Sequence, residues 1–276
     1  MPLYHIFILA LIQGLTEFLP ISSSGHLVLT HRLLDGDITK VQWLSDEVTL
    51  DVAVHFGTLL SVLWCFRKDV GDMSKGLCII LSSPDKAKSM ESSRLAFFVI
   101  AASLPVIIAG FILHILSPDW VRSVTVVAWT TLLFGLLLGI ADRMAQNKIS
   151  LDQMNLKTSL IIGLAQILSL APGTSRSGIT MTAARFCGFD RTQSARFSLL
   201  LAIIASAGAS VLSGMELIRQ GDFNLGIEAL IATILAFLSG WLAITGMMRW
   251  LKTSSFMPFV IYRVLLGVAL LAILYL

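Results

Sequence analysis

The chain has 276 residues, of which 56% are hydrophobic and only 13% charged. With a mean hydropathy of +0.84, this balance excludes an ordinary soluble domain, about a quarter of which is charged. The formal net charge of +3 is small and its basic residues lie between apolar runs, so no nucleic-acid partner is suggested. The sequence reads as an all-α integral membrane protein.

Residues 3–34 hold an apolar stretch, a proline, a Ser/Gly-rich turn and a second short stretch. Each half falls short of the ~20 apolar residues needed to cross ~30 Å of hydrocarbon. A re-entrant helix–loop–helix hairpin is expected instead. The first apolar run lacks the basic flank and small-residue cleavage site of a secretory signal. Full spans are expected at 48–66, 94–116 and 121–141. A second hairpin of the same kind follows at 157–192, then spans at 194–212, 228–249 and 256–276. Irregular backbone at membrane depth is tolerated only where it is buried in protein or lines a wet cavity, so both hairpin turns mark a site.

Loop charges orient the chain. The connection 67–94 carries Arg67, Lys68, Lys75, Lys86, Lys88 and Arg94; the connection 142–157 carries Arg143, Lys148 and Lys157; Arg249 and Lys252 flank the last short one. These are expected on the cytoplasmic side, which leaves 35–47, 117–122 and 213–227 outside. Hairpin plus three spans then occurs twice, over about 1–142 and 157–276. Because three is odd, the second unit starts from the opposite side of the membrane. Six transmembrane helices plus two re-entrant hairpins thus form an inverted-topology repeat with broken helices meeting near the midplane. LTEFLPISSSG and QILSLAPGTSRSG, one from each hairpin, share a proline shortly before a hydroxyl-rich turn ending in glycine.

The turn Pro172 to Gly178 has the composition of an anion cradle. Gly173 and Gly178 allow close backbone approach, and Thr174, Ser175 and Ser177 supply hydroxyl donors. The amides opening the following helix favour negative charge, and Arg176 adds a planar cation matched to phosphate. In the first hairpin, Gln13 and Glu17 are spaced i, i+4 on one helix face. An ionisable residue at membrane depth is by default a functional hypothesis. Glu17 could hold a divalent cation, with Gln13 as a neutral oxygen ligand, or orient a proton acceptor. Ser22, Ser24 and Gly25 could bind substrate, and Ser23 or Ser24 could attack phosphorus with His26 as general base and acid. Brought together by the repeat, these groups make a phosphoryl-transfer set, in which Arg and a metal neutralise developing charge.

The sequence resembles the undecaprenyl-diphosphate phosphatases of bacteria, also called bacitracin-resistance proteins, over nearly its whole length. The resemblance rests on QGLTEFLPISSSGH at 13–26 and APGTSRSG at 171–178. Weaker matches are DVAVHFGTLLSVL from Asp51, ARFSLLLAI from Ala195 and FMPFVIYR ending at Arg263. It implies removal of one phosphate from a C55 isoprenyl diphosphate, leaving the carrier lipid monophosphate used in cell-wall synthesis. It also implies a divalent cation, Mg²⁺ or Ca²⁺, and a multi-pass protein of the bacterial inner membrane whose active site faces the periplasm. By position, Glu17 matches the second acid of the family's (E/Q)xxxE motif, Ser23 and His26 its Ser/His pair, and Arg176 the arginine of its PGxSRSG loop. Gln13 stands where many members carry glutamate. Whether Ser23, His26 or activated water attacks phosphorus stays open.

Other groups take plainer readings. Asp51 and His55 share a face and could back the first hairpin. Arg185, Arg191 and Arg196 read as a cytoplasmic charge cluster, and Tyr262 and Arg263 as an interfacial anchor. His5, His31 and His114 lie near span ends, and Cys65, Cys78 and Cys187 show neither metal spacing nor a pairing pattern. Glycines between Phe134 and Gly139 suggest close helix packing within or between subunits, a homodimer among the arrangements allowed. The competing function is a transporter or flippase for an anionic lipid or small anion, which inverted repeats also serve. The Ser/His pair favours the phosphatase, because transport has no need of a nucleophile and base.

Overall fold

The computed structural model describes residues 3–23, 25, 26, 30, 48–83, 90–116, 120, 123–145, 149–220 and 226–275. Ten longer helices carry the described chain: α1 (Leu3–Phe18), α2 (Val48–Cys65), α3 (Arg67–Ser82), α4 (Glu91–Leu116) and α5 (Val124–Met144), then α6 (Leu156–Ile167), α7 (Arg176–Phe186), α8 (Arg191–Gln220), α9 (Ile227–Trp250) and α10 (Met257–Tyr275). The only β feature among the described residues is an isolated bridge between Ile149 and Phe189.

Among the described residues four helices, α4, α5, α9 and α10, are long and apolar enough to cross a membrane. Their exposed faces recur at helical spacing: Trp129, Leu133, Leu136 and Ile140 on α5, and Leu230, Ile234, Leu238 and Leu242 on α9. Such stripes would be unfavourable in water and are what a lipid-facing helix presents. The spans expected at 48–66 and 194–212 lie on α2 and α8, which pack against each other. Leu199, Leu200 and Leu201 of α8 are all buried. The expected connection 67–94 differs: its first part is the helix α3. Its charged residues suggested a loop, but Gly76 lies against the backbone of Ser92 and Ser93, and the Ser93 hydroxyl donates to the Gly76 carbonyl at 3.1 Å. Packing on α4 overrides the charge signal.

The hairpin expected at 157–192 consists of α6, a 3₁₀ turn at Leu168–Leu170, the loop 171–175 and α7. Asn155 caps α6 by accepting from the Thr158 amide at 3.0 Å, which satisfies a donor that the helix start would leave unpaired. Short and polar, α7 is buried along Ser177 to Arg185. It can be polar inside the protein because its hydroxyls are paired: Thr182 donates to the Gly178 carbonyl, and Thr180 meets the Ser198 hydroxyl at 2.7 Å. Of the first hairpin's second leg, Ser23, Gly25, His26 and Thr30 are helical; Ser24 and residues 27–29 and 31–47, including His31, lie outside the described residues. So do residues 117–119, 121, 122 and 221–225 of the expected outer connections, and the side chains of His5 and Asp51.

Each arginine of the cluster is paired with a carboxylate, and one of them lies inside the protein. Arg185 is fully buried and pairs with Asp142 at 3.1 Å, while also donating to the Phe189 carbonyl at 2.6 Å. Arg191 reaches the same carboxylate at 2.7 Å, and the Phe256 amide donates to its other oxygen at 3.1 Å. Asp142 therefore ties the end of α5 to α7, α8 and the start of α10. Arg196 pairs separately with Asp69 of α3. The three cysteines are free, Cys65 and Cys187 half-buried and Cys78 exposed.

Removing one partner of a buried ion pair strands the other charge, at a cost of about 3–5 kcal/mol. Asp142→Ala is thus expected to lower the thermal unfolding midpoint in detergent markedly, whereas Asp72→Ala, at an exposed pair, should barely change it. Equal shifts would contradict a structural role for Asp142.

Candidate active site

The end of α1 meets the start of α7. Arg176, the first residue of α7, places Nη2 3.1 Å from Glu17 Oε1, and both side chains are only 15% exposed. Gln13, one turn before Glu17 on α1, donates from Nε2 to Glu17 Oε2 at 2.9 Å. The Ser177 hydroxyl donates to the Leu19 carbonyl at 2.9 Å. Two broken helices are thereby joined by one ion pair and one hydrogen bond. Between them opens a cavity of about 180 Å³ lined by Thr16, Glu17, Ser23, Ser169, Leu170, Ala171, Pro172, Gly173, Ser175 and Arg176.

Both turns use the same local device. Ser22 and Ser175 are the only non-glycine residues with positive φ among those described, at 70° and 68°. Each is followed at i+3 by a glycine whose amide donates to the serine hydroxyl: Gly25 to Ser22 at 3.4 Å, and Gly178 to Ser175 at 3.1 Å. A left-handed serine is an uncommon conformation, found where surroundings over-determine it. The serine both turns the chain and caps the next short helix. Ser23 and Arg176 consequently hold equivalent places, each directly after the capping serine.

The loop before α7 is fastened from behind. Thr130 donates to the Pro172 carbonyl, Thr131 to the Gly173 carbonyl at 3.3 Å, and Arg263 of α10 to the carbonyls of Gly173 and Thr174, both at 3.0 Å. Gly173 has φ of +88°, and a Cβ there would stand 2.1 Å from Thr130 Oγ1, so only glycine lets the loop seat on α5. Arg263, read from the sequence as an interfacial anchor, is fully buried. Its neighbour Tyr262 stays 43% exposed but meets the first hairpin's residues, its hydroxyl 2.6 Å from His26 Nε2 and its ring stacked on the imidazole at 5.3 Å between centroids.

His26 Nδ1 lies 2.7 Å from the Ser22 carbonyl. A carbonyl only accepts, so Nδ1 carries the proton and Nε2 keeps its lone pair, accepting from Tyr262. The imidazole is thus held in the tautomer a general base needs. The pairing of Ser23 with His26 suggested by their spacing is not made, because both ring nitrogens are engaged elsewhere. Ser23 lines the cavity and His26 does not.

Of the substrate-binding residues expected in the second hairpin, Gly173 and Ser175 line the cavity. Thr174 is buried with its hydroxyl unpartnered, and Ser177 and Gly178 begin α7 behind it. Arg176 Nη1 is buried without a partner, a charged donor left over after the Glu17 contact. Sequence reasoning did not place Tyr262 and Arg263 at the site; the available signals were a charged and a polar residue adjacent on an apolar helix and the FMPFVIYR match that ends at Arg263.

Among the described residues no three His, Cys, Asp or Glu side chains cluster as metal ligands. Glu17, in the cavity wall, fits a hard cation that shares its shell with phosphate; Gln13 turns Nε2 to Glu17, and its buried, unpartnered Oε1 joins such a site only with the amide turned over.

Residues 6–269 match the family model described as Bacitracin resistance protein BacA. The chain is 47% identical to Undecaprenyl-diphosphatase 1 of Rhodospirillum rubrum, over all of this chain and 96% of that protein. It is 43% identical to the undecaprenyl-diphosphatase of Jannaschia sp. over the full length of both, and 44% identical to that of Hahella chejuensis over 98% of each.

A methyl group at position 173 would collide with α5 and force a φ above zero on an L-residue, at a cost of about 1–3 kcal/mol. Gly173→Ala is expected to lower the unfolding midpoint by several degrees. Gly208→Ala, inside α8 where nothing lies within 4 Å, should not lower it and should raise it slightly, because alanine favours a helix. Equal midpoints would show that the loop is not seated as described.

Proposed function

Since the chain belongs to the bacitracin resistance protein BacA family, we propose that it is an undecaprenyl-diphosphatase, a multi-pass membrane enzyme that hydrolyses undecaprenyl diphosphate to undecaprenyl phosphate and inorganic phosphate. The observation that carries the site assignment is the meeting of Glu17 with Arg176 at a cavity lined by Ser23 and the 172–176 loop. The diphosphate head group enters that cavity. Its terminal phosphate faces the amides opening α7 and the unpartnered Nη1 of Arg176, which balance the charge of the transition state.

Ser23 is the nucleophile in this reading, since it lines the cavity and has no partner among the described residues. Its Oγ bonds the terminal phosphorus as the bridging P–O bond breaks and undecaprenyl phosphate leaves. The hydroxyl proton passes to His26 Nε2, which the Tyr262 hydroxyl must first release, and from there to solvent. Water then bonds phosphorus as the Ser23 Oγ–P bond breaks. His26 takes a proton from that water and returns it to Ser23, so inorganic phosphate departs and the site is restored. A divalent cation, Mg²⁺ or Ca²⁺, would be held by Glu17 and, with its amide turned over, by Gln13 Oε1, and when bound it supplies charge neutralisation on the diphosphate oxygens.

The inverted repeat belongs to the same proposal. Packing supports it: α1 lies on α9 as α6 lies on α4, α2 lies on α9 as α8 lies on α4, and α5 and α10 lie on each other. Exchanging the halves leaves this pattern unchanged, and the two left-handed serines exchange with it. The basic connections support a cytoplasmic face at 67–94 and 142–157, with the site open to the periplasmic side of the bacterial inner membrane. The product would then re-enter cell-wall synthesis as carrier lipid.

Phosphate release from undecaprenyl or farnesyl diphosphate by the purified protein, with and without divalent cation, tests this reading. Losing a positioned base or a charge-stabilising donor costs about 10²–10³-fold in turnover. His26→Ala, Glu17→Ala and Arg176→Ala are each expected to fall in that range, and Ser23→Ala to abolish a trappable phosphoenzyme. Normal turnover in the first three would remove the proposed site. A Ser23→Ala enzyme that still turns over normally would make water the nucleophile.

A further inference from the structure

We infer that Arg263 is a positioning residue for phosphate: it holds the Gly173 and Thr174 carbonyls away from the cavity and thereby aims loop amides into it. This rests on the phosphatase reading of the site and adds a residue that its chemistry does not touch.

Arg263 is 0% exposed, and no described carboxylate pairs with it. Burying an uncompensated cation is costly unless dipoles replace its hydration shell. Here the dipoles are backbone carbonyls: Thr131 at 3.2 Å from Nε, and Thr130, Gly173 and Thr174 at 3.4, 3.0 and 3.0 Å from Nη2. Two of those four belong to the loop. The loop therefore cannot turn its carbonyls toward the cavity without stripping solvation from a buried charge.

The consequence for the ligand follows from peptide geometry. A trans peptide points its C=O and the next N–H in opposite directions, and no cis bonds occur here. With the Pro172, Gly173 and Thr174 carbonyls directed at Thr130, Thr131 and Arg263, the amides of Gly173 and Ser175, both residues of the cavity lining, turn toward the cavity side. The Thr174 amide makes a long 3.3 Å turn bond to Ala171. The guanidinium further places positive charge behind the start of α7. Two glycines make the room: a Cβ at Gly135 would stand 2.8 Å from Arg263 Cβ, and one at Gly178 2.7 Å from Nη1. Arg263 is absent from the cavity lining, so it acts through the loop. Lysine, with one point charge on a flexible stem, cannot span the same carbonyls.

The test uses full-length protein in detergent and reads binding of inorganic phosphate by ³¹P line broadening, alongside KM and kcat for farnesyl diphosphate. Arg263→Lys keeps the charge and loses the fork; it is expected to weaken phosphate binding about tenfold or more and to raise KM, with an unfolding midpoint that shows it folded. Thr131→Val removes a single loop bond without altering charge and is expected to weaken phosphate binding about threefold. If Arg263→Lys does not fold, Thr131→Val decides. Unchanged phosphate binding in a folded Arg263→Lys protein, or in Thr131→Val where that protein fails to fold, overturns the positioning role. Absence of phosphate release by the unmutated protein would instead overturn the phosphatase reading, which the binding measurement keeps separate.

Discussion

A carboxylate on one broken helix meets a guanidinium on another, 159 residues later in the chain, away from bulk water. Charges at such depth persist only when paired or solvated by dipoles, and the architecture around Glu17 and Arg176 supplies both. Gln13 takes the second oxygen of Glu17, and Ser177 reaches across to the Leu19 carbonyl. The partner of each charge comes from the other hairpin, so neither half is complete alone. Arg176 keeps one nitrogen buried and unpartnered, which makes the resting pair receptive to an anion.

Backbone accounting explains why the turns take their particular form. Breaking a helix inside an apolar environment frees amides and carbonyls that must be satisfied locally. At 172–174 the carbonyls go to α5 hydroxyls and to Arg263, while at Ser22 the carbonyl goes to His26. The same bonds that satisfy the backbone thus set a tautomer on one side and the direction of the amides on the other. Structural economy and chemical function coincide in these few contacts. Tyr262 and Arg263, adjacent on α10, serve one hairpin each.

Much of this was legible in the sequence because it is local. The paired prolines, serines and glycines marked both turns, and the i, i+4 spacing of Gln13 and Glu17 put them on one face, where they are hydrogen-bonded. The apolar runs located α4, α5, α9 and α10 to within a few residues. What escaped is what depends on distant partners. Nothing local distinguishes Arg263, buried among carbonyls from two other segments, from an arginine at a membrane interface. Arg185 likewise reads as part of a cytoplasmic charge cluster, because Asp142, which holds it, stands 43 positions away. Nor does the Ser23–His26 spacing reveal that Tyr262, from the far end of the chain, lies against the imidazole Nε2. In α3, charge density concealed a helix that one glycine contact fastens to α4.

The central claim is that Glu17 and Arg176 act as one unit on a single diphosphate. A double-mutant cycle on kcat/KM with Glu17→Gln, Arg176→Gln and the double variant tests it directly. Residues that work as a unit are strongly non-additive, so the double variant is predicted to be no worse than the poorer single one, each being down by about 10²-fold or more. Losses that simply multiply, to about 10⁴-fold, would show that the two groups act independently and would contradict the account.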